Sequence, residues 1–237
     1  MNFPRFPDRR SAGRDLAKHL SKFTGDSDIV VLALPRGGVP VAYEVAQALR
    51  APLDVIVVRK LGFPGREELA IGAIASGGTL VIDPDLVAGV SQAELDAVAT
   101  REVAELTRRE RTYRDGRPPI EVNGKLAIVV DDGLATGASM RAAISALRER
   151  GVRRIVVAVP LASRQAVASL EREADSVVAV FVPEVLYAVG VHYKDFSQTT
   201  DKEVRDLLAQ SVGRRERSWP NERRIERERL GNRRAAT

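Results

Sequence analysis

Short apolar runs alternate with helical periodicities along most of the chain. Residues 28–34 (Asp-Ile-Val-Val-Leu-Ala-Leu), 53–58 (Leu-Asp-Val-Ile-Val-Val), 126–130 (Leu-Ala-Ile-Val-Val), 154–160 and 176–182 are rich in β-branched residues with little polar alternation. That pattern belongs to strands covered on both faces, as in a parallel sheet. Between them the apolar positions recur at three- and four-residue spacing. Leu16, Leu20 and Phe23 predict an N-terminal helix over residues 8–24. A second helix runs to about Leu49, a third carries Ala143, Ile144 and Leu147, and further ones cover 163–172 and 201–208. The longest helical pattern spans 91–114, with Ser91 as N-cap, Glu94 at the capping-box position and Leu95, Val98, Val103 and Leu106 on its apolar side. Asp115-Gly116-Arg117-Pro118-Pro119 ends it. Strands alternating with helices predict an α/β fold, a doubly wound parallel sheet with helices on both faces. Residues 62–68 form a loop with turn residues at its tip, 69–75 return as a strand, and 79–83 pair with it as a hairpin. About 62–120 is thus an insert within one domain over 1–212.

Composition narrows the classes. A hydrophobic share of 44% supports a core, and there is no cysteine for disulfides or thiolate metal sites. No apolar run reaches the roughly 18 residues of a membrane span, and the first ten residues hold no apolar stretch of a signal peptide. A cytoplasmic protein is the expectation. The net charge of +5 is concentrated at one end: residues 213–237 hold nine Arg and four Glu, leaving 28 basic and 28 acidic residues over 1–212. This segment reads as a disordered or weakly helical tail. Any nucleic-acid contact would run through it, and a solubilising extension is the simpler reading.

The strand at 126–130 ends in two adjacent carboxylates, Asp131 and Asp132, followed by a loop of small and hydroxyl residues, Gly133 to Ser139, and a helix start. Backbone N–H groups of such a loop and the helix N-terminus cradle a phosphate, with hydroxyls of Thr136 and Ser139 as added donors. The carboxylates accept hydrogen bonds from sugar hydroxyls, directly or with a divalent cation nearby. No Gly-Lys-Ser/Thr follows, so this is not a Walker A loop, and Gly133 and Gly137 do not fit Gly-x-Gly-x-x-Gly. A second loop, Pro35-Arg36-Gly37-Gly38-Val39-Pro40, follows the first strand. Its glycines allow close backbone approach to a ligand and Arg36 adds a cation. Arg59 and Lys60, at the end of the second apolar run, are candidate diphosphate contacts, because ligands of α/β sheets bind beyond the carboxyl ends of the strands. A tight βα turn is the alternative for the 35–40 loop, and a solvated loop charge for Arg59 and Lys60. The basic stretch from Arg108 to Arg114 suits the helix dipole as a solvated helix end. Of the two histidines, His19 reads as surface or structural, and His192 lies in a late segment with Tyr187, Tyr193 and Phe196.

The run from Val129 to Ser139 resembles the signature of type I phosphoribosyltransferases, a hydrophobic strand, Asp-Asp and a Thr-Gly-Ser/Thr phosphate loop. The resemblance covers roughly residues 28–200. It implies transfer of ribose 5-phosphate from 5-phosphoribosyl 1-diphosphate to a nitrogenous base with loss of pyrophosphate, assisted by Mg²⁺. Asp131 and Asp132 then take the ribose hydroxyls. Leu134, Ala135, Thr136, Gly137, Ala138 and Ser139 take the 5′-phosphate, and Arg36, Gly37, Gly38, Arg59 and Lys60 face the diphosphate. The family's pyrophosphate loop often holds a strained peptide bond, which the resemblance places around Arg36–Gly37. Residues 62–68 are a candidate for the family's mobile lid. The segment Val-Gly-Val-His-Tyr-Lys-Asp-Phe loosely resembles the closing segment of oxopurine enzymes, where an aromatic and an aspartate lie near base and metal. It makes Tyr193 and Phe196 candidates for base stacking and Asp195 a candidate metal ligand, with the cation otherwise held indirectly through the substrate. Packing of the same aromatics on the core is the alternative. The Lys that reads the base oxygen in oxopurine enzymes has no counterpart at Ala174-Asp175-Ser176, so the acceptor stays open. Family resemblance further implies a homo-oligomer, a dimer. Two other readings remain: a non-catalytic sensor of phosphoribosyl diphosphate or a nucleotide, favoured by the basic tail, and a phosphatase or phospho-acceptor protein using Asp131 or Asp132.

Overall fold

The computed structural model describes residues 6–218, apart from Asp83 and Ala88. Five strands form a parallel sheet: β1 (Ile29–Ala33), β2 (Leu53–Val55), β6 (Leu126–Val130), β7 (Arg154–Leu161) and β8 (Ser176–Phe181), in the order β2-β1-β6-β7-β8. The remaining strands, β3 (Val58–Phe63), β4 (Arg66–Ala75) and β5 (Leu80–Ile82), make an antiparallel sheet of their own. The helices are α1 (Arg9–His19), α2 (Gly38–Leu49), α3 (Gln92–Arg114), α4 (Ala138–Glu149), α5 (Arg164–Leu170) and α6 (Asp201–Ser218).

Strands β1 and β6 are buried at every position, as the unbroken apolar runs require. Successive residues alternate between two cores. Val31, Ala33, Ile128 and Val130 pack with apolar residues of α1, α2, α3 and α6. Val30, Leu32, Ala127 and Val129 pack with those of α4 and α5. The sheet is thus covered on both faces. Ser91 caps α3 with the expected reciprocal box to Glu94.

The order of the sheet reverses between β1 and β6. From β1 the chain moves outward to β2; from β6 it moves the other way to β7 and β8. The two strands pair in parallel from Ile29↔Leu126 to Ala33↔Val130. A crevice at such a switch point, beyond the carboxyl ends of the strands, is where ligands of open α/β sheets bind.

Four expectations are corrected here. The run 53–58 is not one strand. After Val55 the backbone of Val57 leaves the main sheet: its N–H donates to Ser76 Oγ and its C=O accepts Ser76 N–H, both at 2.8 Å. A six-residue apolar run has the right length for one buried strand, so its pattern cannot show a change of partner. Residues 62–68 are not an open loop either, because Gly62 and Phe63 end β3 and β4 resumes at Arg66, leaving a tight turn at Pro64-Gly65. The basic end of α3 is not wholly solvated. Arg114 is buried against Asp54, with Nε to the carboxylate at 2.8 and 3.1 Å and a further donation to the Val55 carbonyl oxygen. Finally, the last helix, expected over 201–208, is α6 and runs to Ser218; the rest of the tail, from residue 219, lies outside the described residues.

Candidate functional site

Two loops meet at the switch point. The first leaves β1 through Pro35-Arg36-Gly37-Gly38, with a cis peptide between Pro35 and Arg36, one bond before the position expected. Leu34 N–H continues the sheet by donating to the Val130 carbonyl oxygen at 2.9 Å. The second loop leaves β6 through Asp131 and Asp132. The loops touch with no room for side chains on the first. A Cβ at Gly37 would collide with the Asp132 carboxylate, and one at Gly38 would lie 2.7 Å from the Val130 carbonyl oxygen and 3.0 Å from Asp131 Cα. The two glycines are needed for this close approach.

The acidic pair is partly buried and internally ordered. Asp131 Oδ1 accepts Asp132 N–H at 2.8 Å. Burial pushes the Asp131 carboxyl well above the usual carboxylate range, and the adjacent Asp132 charge adds to the push. Burial raises Asp132 as well, while the Arg9 guanidinium at 2.8 Å pulls the other way. Arg9 comes from the first turn of α1, and its side chain is only 11% exposed. It also donates to the Ser197 carbonyl oxygen at 2.7 Å and lies 3.9 Å above the Phe196 ring. Nothing in the local pattern around Arg9 singles it out from Arg10, which points instead to Glu44 of α2 at 2.6 Å.

The loop after the acidic pair divides by role. Leu134 does not present a phosphate donor: its side chain is buried, its N–H donates to the Leu161 carbonyl oxygen at 3.0 Å, and its own carbonyl accepts Ser163 N–H at 2.9 Å. It anchors the loop to β7 and α5. Ala135, Thr136 and Ala138 are exposed, and Ser139 is half-buried. Gly137 takes φ +74°, a left-handed turn open to glycine, and α4 begins after it with no cap from that position, the Thr136 hydroxyl oxygen accepting Ala138 N–H at 3.5 Å. Its first N–H groups and positive dipole end therefore face the exposed loop.

The remaining predicted residues fall in different places. Arg36 reaches Asp201 at the start of α6, Nη1 to Oδ1 at 3.6 Å, and the Tyr113 hydroxyl donates to the same carboxylate oxygen at 3.3 Å. Arg59 lies in β3, not at the edge of the main sheet, and is held by Glu102 of α3 at 2.6 and 2.9 Å. Lys60 is exposed and lines a cleft of about 470 Å³ between the β3–β5 sheet and α4, with Ile71, Ile82, Ser139 and Arg141. Tyr193 is buried and donates its hydroxyl to the Asp132 carbonyl oxygen at 2.6 Å, so it is a support of the acidic pair and offers no open face for stacking. Burial, with the charges of Asp132 and Asp131, raises the Tyr193 phenol and keeps it protonated as a donor. Phe196 packs on Tyr193 with ring centroids 5.1 Å apart. Asp195 is exposed, and its carboxylate accepts Ser197 N–H at 2.9 Å. His192 is buried against Phe181, and His19 is exposed. Among the described residues, no group of three or more His, Cys, Asp or Glu is arranged to hold a metal ion. No described helix is long and apolar enough to cross a membrane.

Comparison with known proteins places the same elements in context. The phosphoribosyl transferase domain family matches residues 7–194. A Mycobacterium tuberculosis (strain H37Rv) protein carrying the name "Putative phosphoribosyl transferase" is 48% identical over 201 residues, 84% of this chain but 45% of the relative. The chain thus spans a little under half the length of that relative. A uracil phosphoribosyltransferase of Lactobacillus gasseri is 31% identical over 173 residues, covering 69% of this chain and 78% of the relative. The crystal structure of TT1426 from Thermus thermophilus superposes with a TM-score of 0.76 at 47% identity, over 87% of this chain and 98% of that one.

Proposed function

The chain belongs to the phosphoribosyl transferase domain family, and from that premise we propose that it moves ribose 5-phosphate from 5-phosphoribosyl 1-diphosphate to a nitrogenous base, releasing pyrophosphate. The observation that carries this reading is the meeting of two ligand-ready loops at one switch point. One is side-chain-free at Gly37 and Gly38; the other joins Asp131 and Asp132 to a helix N-terminus. A phosphorylated sugar with a diphosphate at C1 has the charges and hydroxyls to match both.

In this reading the exposed loop 135–138, with the Ser139 hydroxyl, holds the 5′-phosphate on the dipole end of α4. Asp131 and Asp132 accept hydrogen bonds from the ribose hydroxyls. Arg36, the Gly37-Gly38 backbone and Lys60 face the diphosphate, while Arg59 supports the hood through Glu102. The C1–O bond to the diphosphate breaks as the bond from C1 to the base nitrogen forms. The transition state resembles an oxocarbenium ion, so the work of these residues is positioning and stabilising charge on the leaving diphosphate. The base gives up one proton as it is alkylated. A carboxylate of the acidic pair is the group in this reading that takes it. The antiparallel β3–β5 sheet is the element placed to cover the substrate and exclude water, which would otherwise hydrolyse the activated sugar.

The donor set suits a cation that arrives with its substrate. Two carboxylates, one of them neutralised by Arg9, do not make a closed protein cage, and Mg²⁺ favours one or two carboxylates together with phosphate oxygens and water. Bound in that way, Mg²⁺ would act as a Lewis acid on the leaving diphosphate. Asp131 and Asp132 would reach it through the sugar hydroxyls they hold.

The test is pyrophosphate release from phosphoribosyl diphosphate and Mg²⁺ across purine, pyrimidine and nicotinate-type acceptors. Base-dependent release is the expected result, and the responding base names the acceptor class. Substrate binding without release under every acceptor would replace the transferase by a sensor of the same fold. Absence of both binding and release would overturn the reading.

A further inference from the structure

We infer that Arg9 is a positioning residue for the acidic pair: from outside the motif, it fixes the Asp132 carboxylate and offsets its charge so that the polyanionic substrate can approach. This rests on the proposed reading of the site and adds a residue to it. The warrant is geometric. Asp132 is gripped twice, through its carboxylate by Arg9 at 2.8 Å and through its main-chain oxygen by Tyr193 at 2.6 Å. Both grips come from a clasp distant in sequence. Phe6 N–H donates to the His192 carbonyl oxygen at 2.8 Å, Lys194 N–H to the Phe6 carbonyl oxygen at 2.8 Å and Asp195 N–H to the Pro7 carbonyl oxygen at 3.0 Å. The segment entering α1 is therefore hydrogen-bonded to the segment that carries Tyr193. Asp8 caps α1 by accepting Ser11 N–H at 2.6 Å, which sets the direction in which the next residue leaves the helix. The Arg9 side chain runs along the Phe196 ring and ends between the Asp132 carboxylate and the Ser197 carbonyl oxygen. Its Nε lies 3.3 Å from where a Cβ on Gly37 would stand. The guanidinium thus sits at the junction of the clasp and both ligand loops.

Two physical consequences follow. A guanidinium with two acceptors and a ring face has little freedom, so it holds the Asp132 carboxylate in one orientation. It also cancels one of two adjacent negative charges in a partly buried site that must receive a diphosphate and a phosphate. Without it, the carboxylate pair would repel the substrate at close range, where solvent screens poorly. Arg10, the next residue, serves as a control, because it pairs with Glu44 of α2 and not with the acidic pair.

The experiment compares Arg9→Ala, Arg9→Lys and Arg10→Ala with the wild-type protein. It reads calorimetric affinity for phosphoribosyl diphosphate, KM for each substrate with the responding base, and thermal midpoint. Arg9→Ala is expected to weaken phosphoribosyl diphosphate by about tenfold or more, the size of one lost charge-assisted interaction. The KM of the base is expected to stay within about twofold, a split that general loss of packing would not produce. Arg9→Lys restores the charge without the fork and is expected to recover part of the affinity. Arg10→Ala is expected to match wild type. Unchanged affinity in a folded Arg9→Ala protein, or equal losses for both substrates, would overturn the inference while leaving the transferase reading intact. If Arg9→Ala does not fold, Arg9→Lys decides: loss of affinity with the base KM unchanged supports the inference, and affinity equal to wild type with a normal thermal midpoint overturns it. An equal rise in both KM values would overturn it as well. Wild-type protein that neither binds nor turns over phosphoribosyl diphosphate would remove the transferase reading and this inference together.

Discussion

Gly37 lies against the carboxylate of Asp132, with space for a hydrogen atom and nothing larger: a Cβ at position 37 would stand 2.7 Å from Asp132 Cγ and closer still to Oδ2. This contact joins the loop after β1 to the loop after β6, and the candidate site depends on it. Gly37→Ala must move one loop or the other. The expected result is a destabilisation of about 1–3 kcal/mol and a loss of phosphoribosyl diphosphate affinity of about tenfold or more. Thermal unfolding and calorimetric titration check the two parts. Wild-type affinity in this variant would show that the contact is incidental to ligand binding.

The acidic pair predicts a pH dependence with a definite sign. Folding raises the Asp131 carboxyl, chiefly by burial and then by the Asp132 charge. The folded state therefore holds that proton more tightly than the unfolded chain. The associated stability is fully present below the ordinary carboxylate pKa of about 4 and is lost as pH rises through the raised value. Asp131→Asn cannot ionise, and its amide oxygen can still accept Asp132 N–H. The ligand-free variant is expected to be more stable than wild type at about pH 7, with the difference closing toward about pH 4. Urea denaturation across that range measures it. A constant difference at every pH would mean that the carboxyl is not perturbed by folding.

Function should respond to the same residues in the opposite sense. Asp131→Asn with Asp132→Asn is expected to abolish pyrophosphate release while circular dichroism stays native. Retained turnover would remove the acidic pair from the site.

Adjacent cations on β3 should separate cleanly. Arg59 is held by Glu102, whose side chain is 9% exposed. Arg59→Ala leaves that carboxylate without this partner and is expected to cost about 1.5–3 kcal/mol of stability with substrate affinity near wild type. Lys60 is exposed beside Ser139 in the cleft, so Lys60→Ala is expected to leave stability within about 0.5 kcal/mol and to weaken phosphoribosyl diphosphate. Thermal melts and titrations of the two variants side by side decide the assignment; the reverse pattern would exchange their roles.

The Arg114–Asp54 pair is a structural fastening of α3 to β2. Both side chains are under 9% exposed, and Asp54 also accepts N–H groups of Val55 and Ile120 at 2.7 and 3.0 Å. Asp54→Ala is expected to cost about 1.5–3 kcal/mol, because the buried guanidinium keeps only Glu110 and the Val55 carbonyl oxygen and two N–H groups lose their acceptor. Chemical denaturation is the check, and a loss below about 1 kcal/mol would show that solvent reaches the pair.

The sequence by itself determined the layered α/β architecture. Runs such as 29–33 and 126–130 are apolar at every position, short and rich in β-branched residues, which suits a strand covered on both faces, so the sheet and its alternation with helices were legible before any contact was known. It also made the two candidate loops legible, because glycines after a strand and an acidic pair before a helix start are local chemistry written in consecutive residues. The capping of α3 by Ser91 and Glu94 was legible for the same reason. What only the tertiary structure decided is which residues meet across distance. The exit of Val57 from the main sheet depends on Ser76, Arg59 on Glu102, and Arg114 on Asp54. Tyr193 turned from a candidate stacking face into a buried support of Asp132, and Arg9 reached the same aspartate across 123 residues. Periodicity records which face of an element is covered, whereas the partner of a buried charge is set by how the elements pack. A guanidinium or phenol has the same local signature whether it meets solvent or a carboxylate, and that choice is made only when the chain closes.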